Sequence, residues 1–314
     1  MDKTILQTYI MKRIFVVIVT YKGHLWYERC FKSLRDSEIP IQTVVIDNAS
    51  DDGTVEYVRE HFPEIHMIES KENLGFGRAN NLGMRYALDN GADYVFLLNQ
   101  DAWVEPNTIG ELVRIAEKHQ EYGILCPLQV NAEKSKVLNG VIDFLSYPTH
   151  TCYELFNDLL LGNKKEIYSV REMNAAAWLL PRKTLETVGG FDPIFLHYGE
   201  DWNYMSRVLY HNMKIGLSPH MLVVHDCIER VKQEKGYAAT YDKWLLQRTT
   251  DLLYPDSILD EMCKQSFRQM LIKLFTFKKR TFIENKNTYL FLKKNKEKIL
   301  ESRKQNKKTT ASWL

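Results

Sequence analysis

The sequence predicts an α/β fold built on a mostly parallel sheet with flanking helices, and three observations lead there. Over residues 13–126, short apolar runs alternate with stretches of helical spacing, as in repeated strand–helix–strand units. The first run, "RIFVVIVT" (13–20), is almost wholly apolar, as a strand buried on both faces must be. Three of the runs then end in polar residues: Thr20-Tyr21, Asp47-Asn48 and Asn99-Gln100-Asp101. Open α/β sheets bind ligands outside the carboxyl ends of their strands, so these residues are expected to share a crevice.

Taken in order, 13–20 is the first strand, and 24–36 has helical spacing in Leu25, Trp26, Cys30, Ser33 and Leu34. "IQTVVID" (41–47) is the second strand. "ASDDGTVEYVREHF" begins with Ser and Asp residues suited to cap a helix. "EIHMIES" (64–70) is a third strand, and 77–91 is a helix stopped by Asn90-Gly91. "DYVFLLN" (93–99) is the fourth strand, followed by a helix with Pro106 in its first turn and a fifth strand, "YGILCP". From 127 to 170 the periodicity fades, which predicts an insertion with short elements. A strand, a short helix and a turn are expected over 173–192, a helix over 200–212, and one or two strands ending at His225-Asp226. Beyond about residue 232 the chain reads as helical.

Of the 314 residues, 45% are hydrophobic and 12% aromatic, enough for a large packed core. Five dispersed cysteines, Cys30, Cys126, Cys152, Cys227 and Cys263, form no CxxC pair, so reduced thiols are expected in place of a disulfide frame or a zinc site. Residues 1–13 carry charges throughout, and no apolar run reaches the length of a signal core or a membrane span, which predicts a cytoplasmic protein. From Leu271 to Lys308 there are thirteen Lys/Arg against three Glu, a net of +10, while the whole chain carries +2. The body is therefore acidic and the tail basic.

The chemistry follows from the acids. Asp101, beside Asn99 and Gln100 at a strand end, either caps the following loop or holds a divalent cation through oxygen. Glu200-Asp201 opens a helix, where acids complement the dipole; a carboxylate there is also suited to take a proton from an attacking hydroxyl. His225 ends an apolar strand, with Asp226 next to it.

The ordered set "VIVTYKGH", "VVIDNASDDGT", "ENLGFGRANNLG", "FLLNQD", "GGFDPIFLHYGEDWNY" and "VVHD" resembles glycosyltransferase family 2, in its rhamnosyltransferase-like branch. The resemblance implies a GT-A fold, the nucleotide-diphospho-sugar transferase architecture, over 1–230. A nucleotide-binding half (13–126) would join an acceptor-binding half (127–230), with 231–314 as a helical basic extension. It implies an inverting transfer of sugar from a UDP- or dTDP-sugar to an acceptor hydroxyl, assisted by Mg²⁺ or Mn²⁺, in bacterial surface polysaccharide assembly. Thr20, Tyr21, Asp47, Asn48, Ser50, Asp52, Asn73, Gly75, Asn80, Asn81, Asn99 and Gln100 would bind the donor. Asp101 would bind the metal, with His225 as second ligand; Asp201, with Glu200 beside it, would be the catalytic base. Trp178, His197 and Tyr198 are acceptor-side candidates, Trp178 with core packing as the alternative.

Asn99 stands where the stricter DXD form has its first Asp, Lys22 where Asn is common, and Asn80 where Arg is frequent. The Asn99 replacement leaves open a non-catalytic sugar-nucleotide-binding subunit. A sugar nucleotidyltransferase fits less well, because "TYKGHLWYE" is not its Gly-rich basic loop, and no GxGxxG follows strand one for a dinucleotide. The acceptor would be a saccharide, free or lipid-linked. The tail "FRQMLIKLFTFKKRTFIENKNTYLFLKKNKEK" is read two ways: as amphipathic helices on an anionic membrane surface, or as a helical hairpin packed on the body with a disordered basic end at 303–314. No nucleic-acid-reading module accompanies the charge, and no nucleic-acid partner is expected.

Overall fold

The computed structural model describes residues 12–147, 151–226 and 237–314, with side chains from 241 onward in the last span; Cys227 and residues 1–11 lie outside it. Nine strands among these residues form one mixed sheet, in the order β3-β2-β1-β4-β8-β6-β9-β5, with β7 also paired to β9. The strands are β1 (Ile14–Thr20), β2 (Gln42–Asp47), β3 (His66–Glu69), β4 (Tyr94–Asn99), β5 (Ala102–Val104), β6 (Tyr122–Val130), β7 (Tyr168–Val170), β8 (Ala177–Pro181) and β9 (Lys214–His225).

The parallel half follows from side-chain alternation. On β1, Phe15 and Val17 point into one apolar cluster and Ile14, Val16 and Ile18 into another, so each face of the sheet has its own core. The register aligns Thr20 with Asp47 and Val19 with Asn99. The polar strand ends therefore meet at one edge. Helix α1 (Tyr27–Arg35) buries Tyr27, Cys30, Phe31 and Leu34, and helix α2 (Thr54–His61) follows β2. Helix α3 (Gly75–Asp89) lies on β1 and β2, where a Cβ on Gly83 would come within 2.4 Å of Val17.

Beyond β4 the sheet departs from a continued parallel run. β8 inserts between β4 and β6, antiparallel to both, and β5 pairs antiparallel with the end of β9. The long excursion over 131–176 gives the chain the reach to return in the opposite direction. It contains α5 (Asn139–Ser146) and α6 (Tyr153–Leu161), after α4 (Thr108–Lys118); α7 (Arg182–Val188) and α8 (Glu200–Tyr210) follow β8.

Three further helices close the chain: α9 (Tyr237–Thr250), α10 (Ile258–Phe275) and α11 (Lys279–Asn306), around a small core of Leu245, Leu259, Leu292 and Ile299. No described helix is long and apolar enough to cross a membrane. The expected disordered end at 303–314 is not what the structure contains. Arg303, 3% exposed, donates to the carbonyls of Thr249 (3.1 Å), Asp251 (2.7 Å) and Tyr254 (2.8 Å). Asp192 Oδ2 accepts from Ser302 Oγ (2.5 Å) and Asn306 Nδ2 (2.7 Å), and the Gly190 amide donates to Ser312 O at 2.8 Å. Gly189 sits at φ +82° with Ser312 O only 2.0 Å from where a Cβ would stand, so the tail docks where no side chain fits.

Asp192→Ala should remove the carboxylate acceptor shared by the buried Ser302 and Asn306 and cost about 2–3 kcal/mol, read as a lower midpoint in urea unfolding. An unchanged midpoint would mean that the tail is held elsewhere.

Candidate active site

The strand-end residues open onto a cleft of about 890 Å³. Its floor is the end of β1 and β4, one wall is the loop before α3, and the other is the segment 196–201 entering α8. Tyr21 from β1, Asn48 from β2, Asn73 and Gly75 before α3, Asn99, Gln100 and Asp101 after β4, and His225 from β9 all line it. So do His197, Tyr198, Glu200 and Asp201 from the opposite side. Asp101 and Asp201 thus face one common cavity.

Each of these positions has a local cause. Gln100 pairs with the backbone of Tyr21 like a strand neighbour: its Oε1 accepts the Tyr21 amide at 2.9 Å and its Nε2 donates to the Tyr21 carbonyl at 3.1 Å. Asn48 bridges to the α3 loop, accepting from the Leu74 amide (3.1 Å) and donating to Gly75 O (3.2 Å). Asn73 Oδ1 accepts the Gly75 amide at 2.9 Å. Gly75 itself is at φ +78°, with Leu196 O 2.1 Å from a would-be Cβ, so the two walls meet where only glycine fits.

Other expected donor-site residues lie behind the wall. Asp47, 2% exposed, accepts from Thr20 Oγ1 at 3.0 Å and from the Ser50 amide at 2.8 Å. Ser50 in turn accepts the Lys22 amide at 3.1 Å, and Asp52 accepts the Thr54 amide at 3.3 Å. Thr20, Asp47, Ser50 and Asp52 brace the loop over the cleft and are not part of its lining. Asn80 and Asn81, expected to wall a nucleoside, are buried on α3 and are not part of the cleft lining. Asn80 donates to Phe76 O at 3.0 Å; Asn81 exchanges two bonds with the backbone of Phe191, at 2.8 and 2.7 Å. Trp178 takes the core-packing alternative: it is 0% exposed, packed among Phe191 and Tyr204 at 6.2 and 5.8 Å, and has no surface for a sugar.

Around Asp101 the sheet brings together residues far apart in sequence. Pairing of Ala102 with His225 sets His225 Nε2 3.3 Å from Asp101 Oδ1, with Asn99 Nδ2 3.5 Å from the same nitrogen. Gln129, whose amide nitrogen donates to Asn174 Oδ1, turns its Oε1 to His225 Nδ1 at 3.2 Å. In the neutral ring the proton then sits on Nδ1 and the Nε2 lone pair faces Asp101. A carboxylate oxygen and an imidazole lone pair side by side fit a divalent cation. No group of three His, Cys, Asp or Glu among the described residues could enclose such an ion, so the remaining coordination positions would fall to substrate oxygens and water.

Glu200 and Asp201 begin α8. Asp201 Oδ1 accepts the Trp202 amide at 2.8 Å; burial raises its pKa, opposed by amide groups at the helix start. Glu200 is 5% exposed, and its Oε2 has no hydrogen-bond partner among the described residues. Burial, with Asp201 adjacent, pushes it up to about 7. Glu172, also buried and near Asp201 and Asp251, is pushed up to about 7 for the same first reason. Sequence reasoning passed over Glu172, Gln129 and Asn174, which lie in or beside the stretch without clear period. It also passed over Trp26, whose indole nitrogen donates to Asp226 at 3.2 Å.

A cleft at the carboxyl edge of a mixed sheet, with an acid after β4 and acids entering a facing helix, defines a nucleotide-diphospho-sugar transferase of the GT-A fold. The model of glycosyl transferase family 2 matches residues 15–185, more than half of the chain, and the chain belongs to that family. It is a glycosyltransferase. It is 26% identical over 233 residues to the low-salt glycan biosynthesis hexosyltransferase Agl10 of Haloferax volcanii, covering 72% of each chain. It is 27% identical over 215 residues to the N-acetylglucosaminyl-diphospho-decaprenol L-rhamnosyltransferase of Mycobacterium tuberculosis, covering 62% of this chain and 69% of that one. The fold matches the mannosyltransferase PcManGT from Pyrobaculum calidifontis, in complex with GDP-Man and Mn²⁺. The TM-score is 0.53 at 18% identity, over 79% of this chain and 67% of the other. S. aureus TarS 1-349 in complex with UDP matches with TM-score 0.53 at 12% identity, over 91% of each chain.

Glu200 carries a pH signature. Its ordinary value is 4.5, so between there and about 7 the unfolded chain releases a proton that the folded one keeps. Stability contributed by the neutral acid is full below 4.5 and lost as pH rises to about 7. Glu200→Gln should therefore match the parent at pH 4 and exceed it at pH 8 by about 2–3 kcal/mol in urea unfolding. Glu172 leaves a residual slope of the same sign. A constant difference between the two proteins at all pH values would place Glu200 in contact with water.

Proposed function

We propose that the enzyme is an inverting glycosyltransferase. It moves a sugar from a UDP- or dTDP-sugar to a hydroxyl of a saccharide or lipid-linked saccharide, in surface polysaccharide assembly at the cytoplasmic face of a membrane. The observation that carries this reading is the common cleft: the acid after β4 and the acids entering α8 line it from opposite sides. The relatives' names support a rhamnosyl- or hexosyl-type donor, among them the dTDP-rhamnosyl transferase RfbF of Shigella flexneri, 22% identical over 222 residues and covering 68% of each chain.

In this reading Tyr21, Asn48, Asn73 and Gly75 take the nucleoside end of the donor, and Asp101 with His225 holds Mg²⁺ or Mn²⁺. The bound cation supplies charge neutralisation of the departing diphosphate. Asp201 accepts the proton of the acceptor hydroxyl while that oxygen attacks the anomeric carbon on the face away from the diphosphate, which inverts the centre. Desolvation makes Asp201 a stronger base than an exposed aspartate, and the helix-start amides keep it in place. His197 and Tyr198, at the outer lip, contact the acceptor. The catalytic unit spans 1–230, and 231–314 forms a helical extension of it.

Asp201→Asn should lower release of nucleoside diphosphate by about 10²–10⁴-fold while leaving donor affinity within a few-fold. Asp101→Ala should weaken UDP or dTDP binding in calorimetry and remove its dependence on Mn²⁺. If Asp201→Asn and the parent release nucleoside diphosphate at the same rate, Asp201 is not the base of the transfer.

A further inference from the structure

The basic tail does two different jobs along its length. The proximal part of the α10–α11 hairpin packs on the body through Leu259, Leu292, Ile299 and Arg303. The distal part does not: between Phe267 and Asn287 no residue is buried. Some nine residues on each helix extend past the body, about 13 Å at the helical rise per residue.

That projection is apolar at its end. Leu274 is 51% exposed, Phe275 77% and Phe277 94%, with Leu271, Ile272 and Ile283 also exposed beside them. Phe277 occupies the turn at φ +53°, a left-handed conformation that glycine or asparagine adopts at least cost. A bulky ring there is unfavourable twice over in water, strained in its backbone and unburied in its side chain. The surrounding charge has one sign. From Lys264 to Ile283 there are six Lys/Arg and no Asp or Glu; Glu284, the first carboxylate beyond, pairs with Arg280 at 3.2 Å.

We infer that the tip of this hairpin, Leu274 to Arg280, docks on an anionic phospholipid bilayer, with Phe275 and Phe277 entering the headgroup–acyl boundary and the flanking cations meeting lipid phosphates. The observations select a lipid surface over a second copy of this chain. Two such tips would bring three like charges against three, whereas an anionic interface neutralises them while burying the rings. The inference also narrows the tail's membrane contact. The helices do not lie flat, because one face of α11 is spent on the body. It deepens the membrane placement proposed above but does not depend on sugar transfer, so the two fail separately.

The test is co-sedimentation of the full chain with phosphatidylcholine vesicles, with and without phosphatidylglycerol. Parallel measurements cover Phe275→Ser/Phe277→Ser and, as a control on another exposed apolar site, Leu160→Ser. Both phenylalanines are exposed, so the double variant should keep its fold, which urea unfolding checks. Binding to the anionic vesicles should fall at least roughly tenfold in the double variant and not in Leu160→Ser. Phe277→Trp should show blue-shifted emission on the anionic vesicles. The inference is overturned if the parent ignores anionic vesicles, if it binds neutral ones equally, or if the double variant binds as the parent does. It is also overturned if the parent self-associates through these rings without binding lipid.

Discussion

The reciprocal hydrogen bonds between Asn81 and the backbone of Phe191 join α3, on the parallel half of the sheet, to the segment that leads into Glu200-Asp201. Asn81 sits on α3, whose inner face is already fixed on β1 and β2, so its amide is a rigid anchor. From the other side, buried Arg207 donates to the carbonyls of Val188 and Gly190. The segment 188–192 is thereby pinned between the two, and α8 enters the cleft at a set angle. Without that anchor, the acids on α8 would belong to a loop free to move relative to Asp101.

The cleft concentrates acids that the fold keeps from repelling one another by different means. Asp101 has His225 Nε2 at 3.3 Å, and Asp201 is held by helix-start amides that oppose the raising effect of its burial. Glu200 and Glu172 are held toward their neutral forms chiefly by burial, against the opposing charges of Lys243 and Arg171. The result is an acid on each side of the cavity, with Glu200 and Glu172, both pushed toward the protonated form, near the second.

The carboxyl-terminal helices belong to this same construction. Through Asp192, Ser302 and Asn306 they hold the residue next to Phe191, in the same short segment that Asn81 and Arg207 hold. A basic extension that composition alone would assign to solvent or to lipid thus docks, at Ser302, Asn306 and Ser312, on the segment that leads into α8.

The parallel strands and the polar residues at their ends were legible in the sequence. A buried strand must be apolar on both faces, and a charged residue at its end incurs desolvation unless a site needs it; both constraints act on neighbours in the chain. The order of motifs was likewise enough to name the family and its GT-A fold. What the linear pattern did not carry was which partner each polar residue takes. Asn80 and Asn81 fall among residues expected to touch a ligand, yet helix phase turns them inward. Trp178 follows small residues, yet β8 enters the centre of the sheet and covers it. The neighbourhood of Asp101, His225 and Gln129 exists because β5 and β6 both pair with β9. The order of residues 303–314 rests on a glycine more than a hundred positions earlier. Local periodicity records which side of an element is dry; only the packed tertiary structure decides what each buried polar atom meets there, because hydrogen-bond partners are chosen in space and not along the chain.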